Sequence, residues 1–270
     1  MQEKYLEALK KFRLIDDAFF SACFDDNAKD VEYILRIILD KSDLKVLNVQ
    51  TQKSVENIYG RSVRFDVFAT DTKGKLYNIE VQRADSGAIP QRARYNSVML
   101  DYHELNKQED FRKLPESFVI FITENDVVGD GEKIYHIDRI VKETNKEFGD
   151  GTHIIYVNGA FKGEEGKPLD DLIHDFFCEN PEEMRHKQLA ERVSFLKENK
   201  GEVDSMSSII AEIFKDEIAE AKAEGKAEGK EKNLIENIRS LMETTKWTAK
   251  QAMDALKIPE NEQEKYIALI

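Results

Sequence analysis

At 270 residues the chain is long enough for one sizeable core and an appendage. Its 41% hydrophobic and 34% charged side chains exclude wholesale disorder, and no apolar run approaches the about 20 residues of a membrane span. A net charge of −13 excludes general affinity for nucleic acid over the whole surface, so a polyanionic partner must be met locally.

The first residues, MQEKYLEALKKF, are amphipathic and lack the apolar core of a signal segment. Leu6, Leu9, Phe12 and Ile15 recur at helical spacing, and the run DVEYILRIILD from Asp30 to Asp40 places Val31, Ile34, Leu35, Ile38 and Leu39 on one broad face. Residues 1–40 are therefore expected to be helical, with Glu32 on the second helix. Leu44 to Val55 alternates well enough for a first strand. Cys23 and Cys178 are the two cysteines. Far apart, with no CxxC spacing and no accompanying histidine cluster, they read as buried thiols of a cytoplasmic protein.

The stretch Arg61–Tyr95 carries the chemistry. Val63 to Ala69 and Leu76 to Gln82 each alternate with a period of two, and the polar link Asp71-Thr72-Lys73-Gly74-Lys75 joins them as a hairpin. Asp66 on the first strand and Glu80 on the second can then share a sheet face, with Gln82 two residues beyond Glu80 on that same face. Two converging carboxylates form a hard-oxygen site suited to Mg²⁺ or Mn²⁺. This stretch has seven basic and four acidic residues, a local charge of +3 inside an acidic chain. Pro90 opens a helix in which Gln91 and Tyr95 share a face, Arg94 neighbours Gln91, and Arg92 falls elsewhere. Arg83 and Arg94 are the expected phosphate contacts, since guanidinium groups bind phosphate bidentately, although each would serve equally as the partner of a surface acid.

Ser117 to Thr123 is a continuous apolar run expected to be a central strand buried on both faces. Lys133 to Ile140 and His153 to Val157 read as further strands, with His136 and His153 structural because no zinc spacing accompanies them. From Pro168 onward the chain reads as helical, with a stripe of Leu169, Leu172, Ile173, Phe176 and Phe177 and a weaker one of Met184, Leu189, Val193 and Leu196. The unit Ala-Glu-Gly-Lys recurs between Glu220 and Glu231 with no apolar residue larger than Ala, as in an exposed tether. Beyond it, Thr248 is a fitting N-cap and Pro259 a helix stop in a small helical appendage. The domains expected are 1–200, a helical tether 201–233, and the appendage 234–270.

Asp16-Asp17-Ala18-Phe19-Phe20, Gly60–Asp66, Tyr77–Asp85, Arg92–Asn96, Phe118–Glu124 and Ile134–Arg139 form an ordered series over residues 14 to 200. That series resembles the PD-(D/E)xK nuclease superfamily, and within it the Rpn-type group labelled "PD-(D/E)xK nuclease family transposase". The resemblance implies an α/β, restriction-endonuclease-like core with a mixed central sheet flanked by helices, here followed by an all-helical C-terminal extension. It implies a Mg²⁺-dependent (or Mn²⁺-dependent) DNA endonuclease of the recombination-promoting or defence type. Asp66 and Glu80 would be metal ligands with the Val81 carbonyl, Gln82 a third catalytic residue, and Arg83, Gln91, Arg94 and Tyr95 substrate contacts. Glu32 would be an additional acid from an early helix, or else an ordinary exposed helix glutamate. The partner implied is DNA, and a homodimer would suit cleavage of both strands. Gln82 stands where the superfamily usually has Lys, and its amide can hold a water or phosphate oxygen but supplies no charge. The competing reading is therefore a weak or inactive nuclease-fold protein that binds nucleic acid or other partners.

Overall fold

The computed structural model describes residues 9–57, 60–102, 104–198, 238–239, 242 and 247–256. The chain divides into two units, Met1–Ile210 and Ala211–Ile270. The first unit holds a six-stranded sheet in the order β1-β2-β3-β4-β8-β5. Its strands are β1 (Val46–Val55), β2 (Val63–Asp71), β3 (Leu76–Gln82), β4 (Ser117–Thr123), β5 (Ile134–Ile137) and β8 (Thr152–Asn158), and a separate ribbon pairs β6 (Ile140–Val141) with β7 (Lys146–Glu147). The strands β1, β2 and β3 run antiparallel, β3–β4–β8 parallel, and β5 returns antiparallel on the edge. This is the mixed sheet flanked by helices that a restriction-endonuclease-like core requires.

The β2–β3 turn forms because Asp71 accepts hydrogen bonds from the Lys73 and Lys75 amides and from the Tyr77 hydroxyl. Gly74 supplies the positive φ of +80° that closes the turn. Every residue of β4 is buried, as its unbroken apolar run predicts. Burying a side chain such as Ile120 or Phe121 contributes about 1.5–3 kcal/mol.

Helices α1 (Asp17–Phe24) and α2 (Ala28–Leu39) precede the sheet, α3 (Pro90–Asp101) follows β3, and α4 (Pro168–Phe176) and α5 (Lys187–Glu198) follow β8. In α2 the expected face is observed, with Val31, Ile34, Leu35 and Ile38 buried and the Asn27 side chain capping the Asp30 amide. The helical expectation for residues 1–40 fails between Lys10 and Asp16. Residues 10–16 are turns rather than helix, because Arg13 bonds its amide to the Asp16 carboxylate and Ile15 bonds its amide to the Phe176 carbonyl. Leu6 lies outside the described residues.

The strand expected over 133–140 is broken in two, since β5 ends at Ile137 and Ile140 turns to pair with Glu147 in the ribbon. His153 is a half-buried structural residue that contacts Asp138 and stacks on Phe118. His136 is exposed on the edge strand. Cys23 and Cys178 are buried free thiols.

Side chains of α5 tie down α1, the segment before it and the start of α2. Arg192 on α5 donates to the carbonyls of Ala22 and Cys23 at the C-terminus of α1. The Lys197 ammonium donates to the carbonyls of Lys10, Phe12 and Glu179. Gln188 bonds Asp30 at the start of α2.

In the second unit α6 (Ala249–Ala255) begins at Thr248, whose hydroxyl caps the Gln251 amide while Gln251 reaches back to the Thr248 amide. Ala252 and Met253 pack with Ile238. The Ala-Glu-Gly-Lys tether and Pro259 lie outside the described residues. Among the described residues no helix is long and apolar enough to cross a membrane.

Candidate active site

The hairpin β2–β3 brings Asp66 and Glu80 together where its ladder stops. The last paired residues are Val67 and Ile79. Beyond them the Val81 amide donates to the Asp66 carboxylate at 3.0 Å, so a side chain takes the place of a strand carbonyl. Asp66 is buried and Glu80 is fully enclosed at 0% exposure.

A third carboxylate joins them from the first helix. Asp17 opens α1 and lies within hydrogen-bonding reach of Asp66. The Gln52 amide bonds both Asp17 and Ser21. Gln52 adopts a left-handed φ of +50° on β1, one of five described non-glycine residues with positive φ. Among the described residues its buried amide oxygen has no hydrogen-bond partner. Backbone strain and an unpaired polar atom beside a carboxylate cluster are what a functional site tolerates.

The electrostatics follow from burial and crowding. Burial, then the charges of Glu80 and Asp17, hold the Asp66 carboxyl well above the usual carboxylate range, against the pull of the Val81 amide and Arg92. Burial pushes Glu80 up to about 7, with Arg92 and the neighbouring Asn78 opposing the rise and Asp17 adding to it. Asp17 is raised by burial, while Arg64 and Gln52 draw it down. Asn78 lies two residues before Glu80 and is fully buried, yet neither its amide nor Glu80 Oε1 makes a hydrogen bond of normal geometry. The cluster therefore crowds three acidic groups in a buried site, together with a carboxylate oxygen that lacks a donor among the described residues. Both features fit a divalent cation held by Asp66 and Glu80.

Gln82 closes β3, and its amide oxygen rests against Gly87. A Cβ on Gly87 would lie 1.9 Å from Gln82 Oε1 and 3.5 Å from Arg92 Nη1. The Gly87 turn is itself anchored, because Asn125 bonds Asp85 and the Tyr156 hydroxyl donates to the Ala88 carbonyl at 2.7 Å.

The remaining expected residues are distributed differently. Arg83 is held between Glu124 at 2.9 Å and Asp16 at 3.2 Å. Gln91 and Arg94 are exposed on α3 with no hydrogen bond or ion pair among the described residues. Tyr95 braces the loop before β2, donating to the Arg61 carbonyl and accepting from Asn57.

Glu32 is not near the pair. It accepts the Val46 amide and pairs with Arg36 at 2.7 Å. Val46 faces Asp71, five residues along β2 from Asp66 and thus about 17 Å away. The early-helix acid at the cluster is Asp17. Arg92, set apart from the substrate face on helical spacing, is in fact in contact with the site: its Nη2 lies 3.0 Å from Glu80 Oε2.

Among the described residues a second group of ligand-type side chains, His174, Asp175 and Cys178, lies at the end of α4. Asp175 is occupied by the amides of Arg185 and His186 and by the His186 ring. Burial pushes the Cys178 thiol up to about 11, so it stays protonated at neutral pH. These residues pack the α4–α5 corner and are poor metal ligands.

Compared with known proteins, residues 31–237 match the family described as PD-(D/E)XK nuclease family transposase. The matched span holds Asp66, Glu80, Gln82 and Arg92 and begins after Asp17. No curated protein and no solved structure gave a significant match.

Proposed function

The chain belongs to the PD-(D/E)XK nuclease family transposases, and from that membership we propose that it is a metal-dependent DNA endonuclease whose site is the Asp66–Glu80 cluster. The observation that carries this reading is the pair of buried carboxylates converging at the end of the β2–β3 ladder, with a Glu80 oxygen that lacks a hydrogen-bond partner among the described residues. Family members generally use divalent metals. Here Mg²⁺ or Mn²⁺ would be held by Asp66, Glu80 and the Val81 carbonyl. A cation there would supply a water of lowered pKa and neutralise charge on the phosphate.

The chain's own groups do the rest. Gln82 orients the water or the scissile phosphate with its amide. Arg94 and Gln91 lie free on α3 to meet the DNA backbone, Arg83 could do so after release from Glu124, and Tyr95 holds the entry loop. The local charge of +3 over Arg61–Tyr95 suits a polyanion in an otherwise acidic chain. The biological setting we propose is cytoplasmic, in DNA recombination or defence, with a homodimer cutting both strands. The tether 201–233 would join the 1–200 core to the helical appendage 234–270.

A second reading is favoured by one residue. Gln82 supplies no charge, which suits a nuclease-fold protein that holds DNA without cutting it. A labelled duplex separates the two. Cleavage in Mg²⁺ or Mn²⁺ but not in EDTA supports the endonuclease; binding in Ca²⁺ with no cleavage in any metal selects the second reading.

Two further outcomes are expected. Burial pushes the Glu80 carboxyl up to about 7 in the folded protein from an ordinary value of 4.5. Its protonated form thus stabilises the metal-free fold below about pH 4.5, and that stabilisation is lost as pH rises through about 7. Raised Asp66 and Asp17 act in the same direction. Metal binding requires the ionised form, so Mg²⁺ should raise the unfolding temperature more at about pH 8 than at about pH 6. Equal metal-induced shifts at both pH values would contradict this.

Gly87→Ala should displace the Gln82 amide, since the added methyl lands on its oxygen. A flexible side chain can move aside, so stability should change by less than about 1 kcal/mol while cleavage falls about tenfold or more. Rate and unfolding temperature measured together check this.

A further inference from the structure

The position after Glu80 and Val81 carries an amide rather than an ammonium, so the site lacks a cation where one would face the scissile phosphate. The fold places one beside it. Arg92 lies in the first turn of α3, two residues after Pro90. Its neighbour Ala93 is fully buried against the sheet, which sets the register of the helix and leaves Arg92 reaching toward Glu80. Arg92 Nη2 donates to Glu80 Oε2 at 3.0 Å, and the Arg92 side chain is 38% exposed while Glu80 is 0% exposed. One part of the guanidinium is therefore spent on the buried carboxylate, and the rest opens to solvent. Its other nitrogen, Nη1, and the Gln82 amide oxygen flank the same Gly87, which has no side chain to separate them.

The other nearby cations are arranged differently. Arg64, two residues before Asp66 on β2, is exposed and acts on Asp17 but makes no hydrogen bond or ion pair to Glu80 among the described residues, Arg83 is tied to two acids, Arg94 is exposed without contact to the cluster, and Lys53 lies 3.4 Å over the ring of Phe68.

We propose that Arg92 is the catalytic cation of this site, binding a non-bridging oxygen of the scissile phosphate through the guanidinium N–H groups that Glu80 leaves free. The proposal rests on the nuclease reading above. In the hydrolysis, a water oxygen forms a bond to phosphorus and the P–O3′ bond breaks. The electron pair leaves on the 3′ oxygen, which takes a proton from solvent, while the proton lost by the attacking water passes to solvent. Arg92 exchanges no proton, because a guanidinium stays charged throughout. It stabilises the extra negative charge that develops on the phosphate oxygens. Glu80 orients it, so one side chain links the metal ligand to the substrate.

The test uses the full chain and four variants. Arg92→Gln keeps a donor for Glu80 and removes the charge. Arg92→Lys keeps the charge. Gln82→Lys puts an ammonium at position 82, and Gln82→Lys/Arg92→Gln moves the charge from one position to the other.

Removing a preorganised donor at developing charge costs about 10²–10³ in rate, so Arg92→Gln should cut at least about 100-fold more slowly than wild type. Arg92→Lys should stay within about tenfold, and the double variant should be at least about tenfold faster than Arg92→Gln. The proposal is overturned if Arg92→Gln cuts within about threefold of wild type, if Arg92→Lys and Arg92→Gln are equally slow, or if the double variant gains nothing over Arg92→Gln. If wild type does not cut at all, the nuclease reading fails, and Arg92 is judged by binding alone. Affinity for a short duplex in Ca²⁺, followed by fluorescence anisotropy, should then fall at least about tenfold in Arg92→Gln, and unchanged affinity overturns the phosphate contact.

Discussion

Asp66→Asn is expected to lower the cleavage rate by about a thousandfold or more while leaving the metal-free protein at least as stable as wild type. The two effects have one cause. Asp66 is buried beside Glu80 and Asp17, and its carboxyl is held well above the usual range by burial and by their charges. In the absence of a cation those negative charges oppose one another in a site of low dielectric. Asparagine can still accept the Val81 amide, so the splayed end of the β2–β3 hairpin keeps that contact. What it cannot do is offer an anionic oxygen to a divalent cation. Losing that ligand removes several kcal/mol of transition-state stabilisation, and each 1.4 kcal/mol or so is tenfold in rate. Thermal unfolding in EDTA at about pH 8 should give Asp66→Asn a midpoint equal to or above wild type. A variant that is inactive and also strongly destabilised would show that Asp66 is a packing residue instead.

Lys197→Met is expected to cost about 3 kcal/mol of stability. The Lys197 ammonium donates to the carbonyls of Lys10, Phe12 and Glu179 and is nearly buried at 8% exposure. Methionine fills the same volume but leaves those carbonyls without their donor, at about 1 kcal/mol each. For a unit of this size the unfolding midpoint should fall by about 6–12 °C. Breaking the exposed pair of Lys113 and Glu109 gives the comparison, with an expected effect below about 1 kcal/mol. Because Lys197 secures the segment that leads into α1, its loss should also weaken metal binding through Asp17. A midpoint shift of less than about 2 °C would contradict the role assigned to this clamp.

The sheet and the central carboxylates were legible in the sequence because both depend on local order. A period of two fixed β2 and β3, a five-residue polar turn joined them, and that geometry alone set Asp66 opposite Glu80. The apolar run of β4 announced a strand buried on both faces.

The positions that sequence leaves open depend on contacts between elements distant in the chain. Glu32 and Asp17 are both acids on early helices, and helical spacing does not tell which end of β1 each helix crosses. The Val46 amide draws Glu32 to the Asp71 end of the hairpin, while Gln52, in its left-handed conformation, bonds Asp17 near Asp66. Spacing on α3 grouped Arg94 with Gln91 and Tyr95 and set Arg92 apart. The face of α3 that packs on the sheet is instead the one holding Ala93, Asn96 and Ser97, and Arg92 at its edge reaches Glu80. The close approach of Gln82 to Gly87 has a weak signal in sequence, a glycine ahead of Pro90. That signal gains meaning only once Tyr156, 69 residues beyond Gly87, is seen to hold the turn through Ala88.

Nicking of supercoiled plasmid tests the central claim most directly, because a closed circle has no ends and only an endonuclease can relax it by hydrolysis. Wild type should convert it to nicked and linear forms in Mg²⁺ or Mn²⁺ and leave it intact in EDTA, with Asp66→Ala and Glu80→Ala inactive in every metal. A wild type that never nicks, or alanine variants that nick as fast as wild type, would contradict the assignment of catalysis to the Asp66–Glu80 cluster.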